Sequence, residues 1–484
     1  MKTTRLLTSS LLASLLILAG CSVAPTYERA TVDTPAAYKE AAATPASDQW
    51  KTAEPSEAMA RGEWWKIFGD TTLDGLEQQA LEANQDLKAA AARLAQARAL
   101  RLNARSDLFP TIGVGVGPTR QRPSPASQGL PADASTDAST LWRAQGSISY
   151  EADLFGRVAS SVDAATADAQ QSEALFHSVR LALQADVAQA YFQIRERDAE
   201  QQLYSGTVKL REQTLKLVQR RYAEGDIGEL DVARASSELA SAQSEALGIA
   251  RMRAVSEHAL AILLGKTPAD FTLEAKPLTR LSVDIPAGLP SSLLERRPDI
   301  AAAERAMAAA NARVGVAKAA FFPRLSLTGG LGFESSQLGD LFNWSSRTFL
   351  LGPMVGTALS LPIFDGGARK AGVDRARAVY EEDVASYRQT VLNAFREVED
   401  NLANLRILTD QTKAQDDAVQ ASTRAAHLSQ VQYREGSISY LDVIDADRTV
   451  LQQRRVSAQL DGERARSAVN LIRAIGGGWT RPEV

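Results

Sequence analysis

The chain has 484 residues, with 54 Lys and Arg against 58 Asp and Glu, a net charge of −4. That mild negative balance removes the electrostatic case for nucleic acid, and length alone would allow three domains. Beyond the N-terminus no run of 18 apolar residues occurs, which excludes helical membrane spans in the mature chain. A β-barrel, with short alternating strands, stays open.

Lys2 and Arg5 form a positive start, Leu6–Leu18 an apolar run, and Leu18-Ala19-Gly20-Cys21 follows. This is the layout of a signal peptide, and the residue after the cut is the one cysteine in the chain. The motif resembles a bacterial lipobox, which implies removal of residues 1–20 and a diacylglycerol and acyl chain on Cys21. An ordinary signal with a stray thiol is the alternative. Ser22 rather than Asp follows, which favours the outer membrane, and a lone cysteine excludes an intrachain disulfide.

Residues 21–72 read as an anchored tether, interrupted by Pro25, Pro35, Pro45 and Pro55 and docked by Trp64-Trp65-Lys66-Ile67-Phe68. Leu73 to Arg105 has the composition of one helix, with Asp70-Thr71-Thr72 offering caps. After Phe109-Pro110 the period becomes two. Ile112, Val114 and Val116 alternate with glycines, and Trp142, Ala144, Gly146, Ile148, Tyr150 and Ala152 share one face of a second strand. A soluble sheet also alternates. The strand length suits a membrane crossing, and Trp142, Phe109 and Phe155 stand at the ends as an aromatic belt would. The hairpin spans 111–153, with residues 121–140 as an external loop.

A long helical stretch follows. Between Arg157 and Glu224 the only glycine is Gly206, and Val179, Leu183, Val187, Ala190 and Ile194 make one buried stripe. At Tyr222–Val232 the sequence YAEGDIGELDV has the chemistry of a tight helical turn, over 225–229, with Gly225 ending one helix in a left-handed conformation. After the return helix to Gly265, residues 266–288 connect to a second copy of the whole unit. There the hairpin lies at 324–362, the long helix runs from Arg369, and the turn lies at 436–440. YREGSISYLDV at Tyr433–Val443 matches the first turn at an offset of 211 residues, and Gly265 returns as Gly476. The chain is one unit, 73–265, written again at 289–476, with a tail at 477–484. Four strands cannot close a barrel, for which about eight is the practical minimum, so membrane strands here require a barrel shared between chains.

Leu-Ala-Gly-Cys at 18–21, Trp64-Trp65, Asp107–Pro110, Leu293-Leu294-Glu295-Arg296-Arg297-Pro298-Asp299-Ile300, Ala320–Pro323, Leu361-Pro362-Ile363-Phe364 and Gly476-Gly477-Gly478-Trp479 together resemble the outer-membrane factor family of Gram-negative tripartite efflux pumps, in its OprM-like lipoprotein branch. The resemblance implies an α+β membrane channel, a homotrimer of twelve shared strands continuous with a long periplasmic α-helical barrel. It implies passive export of drugs or other small amphiphiles, with a periplasmic membrane-fusion adaptor and an inner-membrane pump as partners and no nucleic acid. Within the family a protein or peptide secretion duct is the alternative; outside it, a periplasmic lipoprotein scaffold without a pore.

Position by position, the resemblance implies that Asp442 and Asp445 ring the closed periplasmic entrance, that Tyr433 gates it, and that Asp231 is its acidic partner on the other turn. Ile438 stands where some members carry Arg, which argues against a Tyr–Asp–Arg lock copied whole. Gly225, Ile227, Leu230, Gly436, Ile438 and Leu441 match the tips that meet the adaptor. On spacing alone, Asp442 and Asp445 share a helix face, and a solvated helix-start carboxylate is the simpler reading. Threefold repetition would turn each into three like charges and a cation-selective constriction. No enzyme or cofactor is indicated. His177, His258 and His427 lack metal-ligand spacing, and the glycine runs at 329–332 and 476–478 lack the Lys-Ser/Thr of a phosphate loop.

Overall fold

The computed structural model describes residues 23–35, 37–40, 62–281, 293–351 and 359–477. Cys21, Ser22, Pro45 and Pro55 of the tether, Leu289-Pro290, residues 352–358 of the second hairpin and the tail from Gly478 lie outside the described residues. The chain forms two compact units. One comprises residues 23–31, 94–172 and 302–387, and the other 32–93, 173–301 and 388–477.

The first unit is built on an antiparallel sheet. Its strands are β1 (Thr111–Gln121), β2 (Ser139–Ala152), β3 (Arg324–Ser335), β4 (Arg347–Leu351) and β5 (Leu359–Ser360). The order is β1-β2-β3-β4, with β5 also on β3. The pairing of β2 with β3 joins the two repeats: Ala144 faces Phe333 and Gly146 faces Leu331. β4 begins at Arg347, where Arg347 and Thr348 pair with Phe333 and Gly332. Opposed residues share a face, so the register sorts the sheet. One side carries Ile112, Val114, Val116, Ile148, Leu331, Phe333 and Phe349. The other carries Gly113, Gly115, Gly117, Arg143, Gln145, Ser147 and Glu334. The apolar side is bare, with Val114 83% and Leu331 71% exposed. On the polar side Arg143 and Glu334 pair at 2.8 Å. Gly332 is required by backbone approach, since a Cβ there would lie 2.2 Å from the Ala144 carbonyl oxygen. An extended segment lies along this unit's helices: Tyr27 donates to Glu304 at 2.6 Å and Asn311 donates to the Pro25 carbonyl at 3.0 Å.

The helices are α1 (Thr71–Ala83), α2 (Gln85–Ser106), α3 (Arg157–Ala223), α4 (Glu229–Leu263), α5 (Pro298–Ala319), α6 (Ala368–Arg434) and α7 (Tyr440–Ala474). The long helices α3 and α6 have 67 residues each, about 100 Å at 1.5 Å per residue. Leu183, Val187 and Ile194 of the α3 stripe are fully buried. The helix read as continuous from Leu73 to Arg105 is two helices, broken at Asn84. Asn84 Oδ1 accepts from the Leu87 amide at 2.9 Å, so its side chain caps the new start.

That break serves a junction built twice in the second unit. Asn84 Nδ2 donates to the Leu263 carbonyl at 2.9 Å. In the other repeat Arg297 Nη1 donates to the Ala474 carbonyl at 2.9 Å. Each satisfies a carbonyl left open at a helix end. Beside each carbonyl sits a left-handed glycine, Gly265 at φ +66 and Gly476 at φ +87. An added Cβ would lie 2.5 Å from the Ala83 oxygen or 2.9 Å from the Arg296 carbonyl. Different side chains therefore make one geometry, and the glycines let the backbones meet. Around it, the Phe68 ring packs edge-on to Phe192 at 4.9 Å, and Trp64 Nε1 donates to Gln184 at 3.2 Å. Burial holds Arg297 among Asp299, Glu397 and the helix end, with its guanidinium shifted further toward the charged form by those carboxylates despite desolvation.

Gly265→Ala and Gly476→Ala are each expected to destabilise the fold by about 2 kcal/mol or more, adding a backbone clash to the cost of positive φ. Gly225→Ala, with φ +81 but nothing within 4 Å of its Cβ, should cost only about 1 kcal/mol. Thermal unfolding followed by circular dichroism at the helix band ranks the three, and an equal loss in all would remove the close-approach account.

Candidate functional site

The candidate site is the pair of hairpin tips, α3–α4 and α6–α7, both within the second unit. They are built alike. The Gly225 amide donates to the Tyr222 carbonyl at 3.0 Å and the Asp226 amide to the Arg221 carbonyl at 2.9 Å. In the second tip Gly436 donates to Tyr433 at 3.0 Å and Ser437 to Gln432 at 2.9 Å. This paired closure needs a left-handed residue, and Gly436 has φ +73.

Both turn isoleucines fold inward. Ile227 and Ile438 pack on a cluster of Val218, Ala235, Tyr440, Val443 and Ile444, to which Val232 and Tyr433 also belong as partly buried neighbours. The cluster draws on both hairpins, so burial of these side chains holds one tip against the other. Leu230 and Leu441 remain at the surface, 61% and 40% exposed.

The two tips start their second helix differently. Gly228 gives α4 no side-chain cap, whereas Ser439 and Asp442 form a reciprocal capping box on α7. Asp442 Oδ2 accepts from the Ser439 amide at 3.0 Å and from its hydroxyl at 2.7 Å. Those two hydrogen bonds from Ser439 hold the Asp442 carboxyl below the usual carboxylate range. Asp445, one turn on, is 61% exposed at its side chain and only 3.4 Å from Arg448. Within one chain, then, Asp442 is occupied with its helix end, and Asp445 is the freer of the two carboxylates.

The ties between the hairpin tips join Tyr433 to residues that neither the motif nor the spacing singles out. Arg221 Nη1 donates to the Tyr433 hydroxyl at 3.1 Å, and within the second tip the Tyr433 and Tyr440 rings lie 5.6 Å apart. Asp231 reaches only its own helix neighbour Arg234, at 3.7 Å. On α4 the acid that crosses to the second hairpin is Glu238, two helical turns further along, while away from the tips Glu196 and Glu200 of α3 also cross, to Arg466 and to Arg455 and Gln459. Glu238 is buried, accepts from Arg448 Nε at 3.0 Å across the hairpins, and pairs with Arg211 of its own hairpin at 2.9 Å. Hydrogen bonding to Glu238 shifts the Arg448 guanidinium further toward its charged form. Burial raises the neighbouring Asp447 carboxyl and pushes the Tyr440 hydroxyl up to about 12. A signal for these residues was present in the sequence. At the 211-residue offset Arg221 corresponds to Gln432, Ser237 to Arg448 and Glu238 to Thr449, so the ties occupy positions where the copies differ.

Comparison with known proteins places the geometry in context. A family model described as "Outer membrane efflux protein" matches residues 76–266 and 289–477. The antibiotic efflux pump outer membrane protein ArpC of Pseudomonas putida is 37% identical over 479 residues, 97% of this chain and 95% of the relative. The toluene efflux pump outer membrane protein TtgC of Pseudomonas putida is 37% identical over 480 residues, with the same coverage of 97% and 95%. Among solved structures, the outer-membrane channel OprN superposes with a TM-score of 0.84 at 30% identity, over 95% of this chain and all of that one.

Asp442→Asn should fray the start of α7 and speed amide exchange at Leu441–Ile444. In the unaltered chain the protection of these amides, exchange relative to the intrinsic rate at each pH, should fall as pH falls. A carboxyl depressed by folding contributes stability above its unfolded value near 3.8, and that contribution is lost as pH drops through its lower folded value. Hydrogen–deuterium exchange at pH 7 and through the acid range reads both. Identical exchange in variant and parent would sink the capping account.

Proposed function

The chain belongs to the outer membrane efflux protein family, and we propose that it is a passive exit duct, closed at rest, through which drugs or other small amphiphiles leave the periplasm. It is the outer-membrane channel component of an efflux system. The observation that carries the duct reading is the two-faced sheet. Ile112, Val114, Val116, Leu331 and Phe349 form a bare apolar side over a side of Gly, Ser, Gln and a paired Arg143–Glu334. Apolar outward and polar inward is what a wall between lipid and water needs.

In the order β1-β2-β3-β4 the outer edges of β1 and β4 carry no further strand among the described residues. In lipid those edge groups have no water to pair with, and an unpaired backbone group costs several kcal/mol. Two chains would only reach the minimum of about eight strands; three chains, the number the family resemblance implies, each joining its β4 edge to the next β1, form a symmetric ring of twelve. A lipid on Cys21 would hold each chain to the membrane as a second attachment. Drive for transport then comes from an inner-membrane pump, coupled through a periplasmic adaptor that engages the surface leucines Leu230 and Leu441 beside the turns.

The closed state rests on ties between hairpins: the shared apolar cluster, Arg221 with Tyr433, and Arg448 with Glu238. Repeated three times about an axis, Asp445 supplies the like charges of a cation-selective entrance, while Arg448 offsets part of that charge. An adaptor that binds the splayed tips better than the tied ones would open the duct by that difference in affinity. Glu238 and Arg221 join Tyr433 in this gate, and Ile438 supplies apolar packing where some family members carry Arg.

Two measurements in planar bilayers test this. Removing both polar ties at the tips with Glu238→Ala and Tyr433→Phe should raise the open fraction by roughly tenfold or more, since the Arg221–Tyr433 bond contributes about 1 kcal/mol and withdrawing the buried Glu238 from its arginines costs more than losing a surface pair. Asp445→Ala should weaken cation selectivity, with Asp231→Ala as the comparison that changes little. Purified protein that never conducts ions would remove the duct reading, and unchanged gating in the first variant would remove the ties.

A further inference from the structure

We propose that the outward face of the sheet ends, at its loop end, in a binding collar for the phosphorylated glycolipid of the outer leaflet, held by Arg120, Arg347 and the ordered loop 336–346. This rests on the reading of the sheet as a membrane wall.

Arg347 pairs with Phe333, and Phe333 belongs to the bare apolar face. Phe342 packs edge-on to Phe333 with centroids 5.6 Å apart, and Trp344 stacks under the Arg347 guanidinium. The loop therefore folds over the outward side. It is also built to hold that pose. Leu341 is buried at 2%, Asn343 Nδ2 donates to Asp340 at 2.9 Å, and Ser346 donates to the Asp340 carbonyl at 2.7 Å. Yet this fixed loop leaves Phe342 71% and Trp344 78% exposed. In water that is costly; in a headgroup layer, with one apolar side and one wet side, it is favourable.

The charges follow the same division. At the loop end of the polar face Arg143 is neutralised by Glu334. At the loop end of the outward face Arg347 is exposed and donates to the Trp344 carbonyl at 2.9 Å, with no carboxylate in reach among the described residues. Arg120 occupies an even position of β1, on the side of Val114 and Val116, and is likewise exposed without a carboxylate partner among the described residues. A guanidinium on a lipid-facing wall calls for an anion at the depth of the headgroups, and arginine pairs phosphate through two parallel donors. If three chains close the ring, the β4 edge of one meets the β1 edge of the next, which brings Arg347 and Arg120 to the same seam. Phosphate bound there would also bridge neighbouring chains.

The test uses the purified full-length protein, titrated with deep-rough lipopolysaccharide, with the same lipid after enzymatic dephosphorylation, and with phosphatidylglycerol, while thermal unfolding is followed. The phosphorylated glycolipid is expected to raise the midpoint saturably and the other two to do so little. Arg120→Gln with Arg347→Gln should weaken that response about thirtyfold in lipid concentration, for two surface arginines, and the double Lys variant should recover most of it. Equal stabilisation by dephosphorylated lipid or by phosphatidylglycerol overturns the proposal, as does an unchanged response in the Gln variant. Conductance of the parent protein in plain phospholipid bilayers separates the two readings. If it conducts but ignores the glycolipid phosphates, only the collar fails; if it never conducts, the wall itself was misread.

Discussion

A backbone amide or carbonyl inside hydrocarbon has no water to turn to, and this constraint governs the rest of the molecule. Strands that cross lipid must pair along their whole length and must finally close. One chain supplies four strand positions and two open edges. The need for closure therefore lies behind the proposed assembly, and the tandem repeat is a direct way to meet it. Each copy contributes one hairpin, and β2 and β3 are joined across the copies.

Once the sheet has two faces, charge is treated differently on each. Arg143 and Glu334 neutralise one another where water is expected, whereas Arg120 and Arg347 stand without acidic partners on the apolar side. At the far tips of the helical hairpins the same sorting recurs in another form. Ile227 and Ile438 are drawn into a common cluster, and Glu238 is buried between Arg211 and Arg448. A buried acid with two arginine partners is strongly held while both remain, and exposed to a large penalty when one is withdrawn. That asymmetry suits a latch. The capping box at Ser439 and Asp442 gives only the second tip a rigid start, so the two hairpins are unequal in firmness as well as in charge.

The repeats also show how one geometry is reached by different side chains. Asn84 and Arg297 both donate to the last carbonyls of a returning helix, beside left-handed Gly265 and Gly476. The junction requires a donor at a fixed place, and an amide and a guanidinium both provide it. Composition could not reveal the equivalence, because the residues are chemically unlike and the contacts lie 179 and 177 positions along the chain.

By itself the sequence determined the repeat, the strand faces, the long uninterrupted helices and both glycine turns. These follow from periodicity, from the absence of Pro and Gly, and from a backbone conformation that glycine alone adopts freely, all local properties of the chain. The docking of Asn84 on the Leu263 carbonyl, the joining of both tips in one apolar cluster, and the reach of Arg448 to Glu238 while Asp231 meets only Arg234 were decided by tertiary structure. Each depends on which helix lies alongside. An acid seven residues further on presents the same helix face two turns away, about 10 Å at 1.5 Å per residue, and spacing along one helix cannot say at which height a partner's arginine waits.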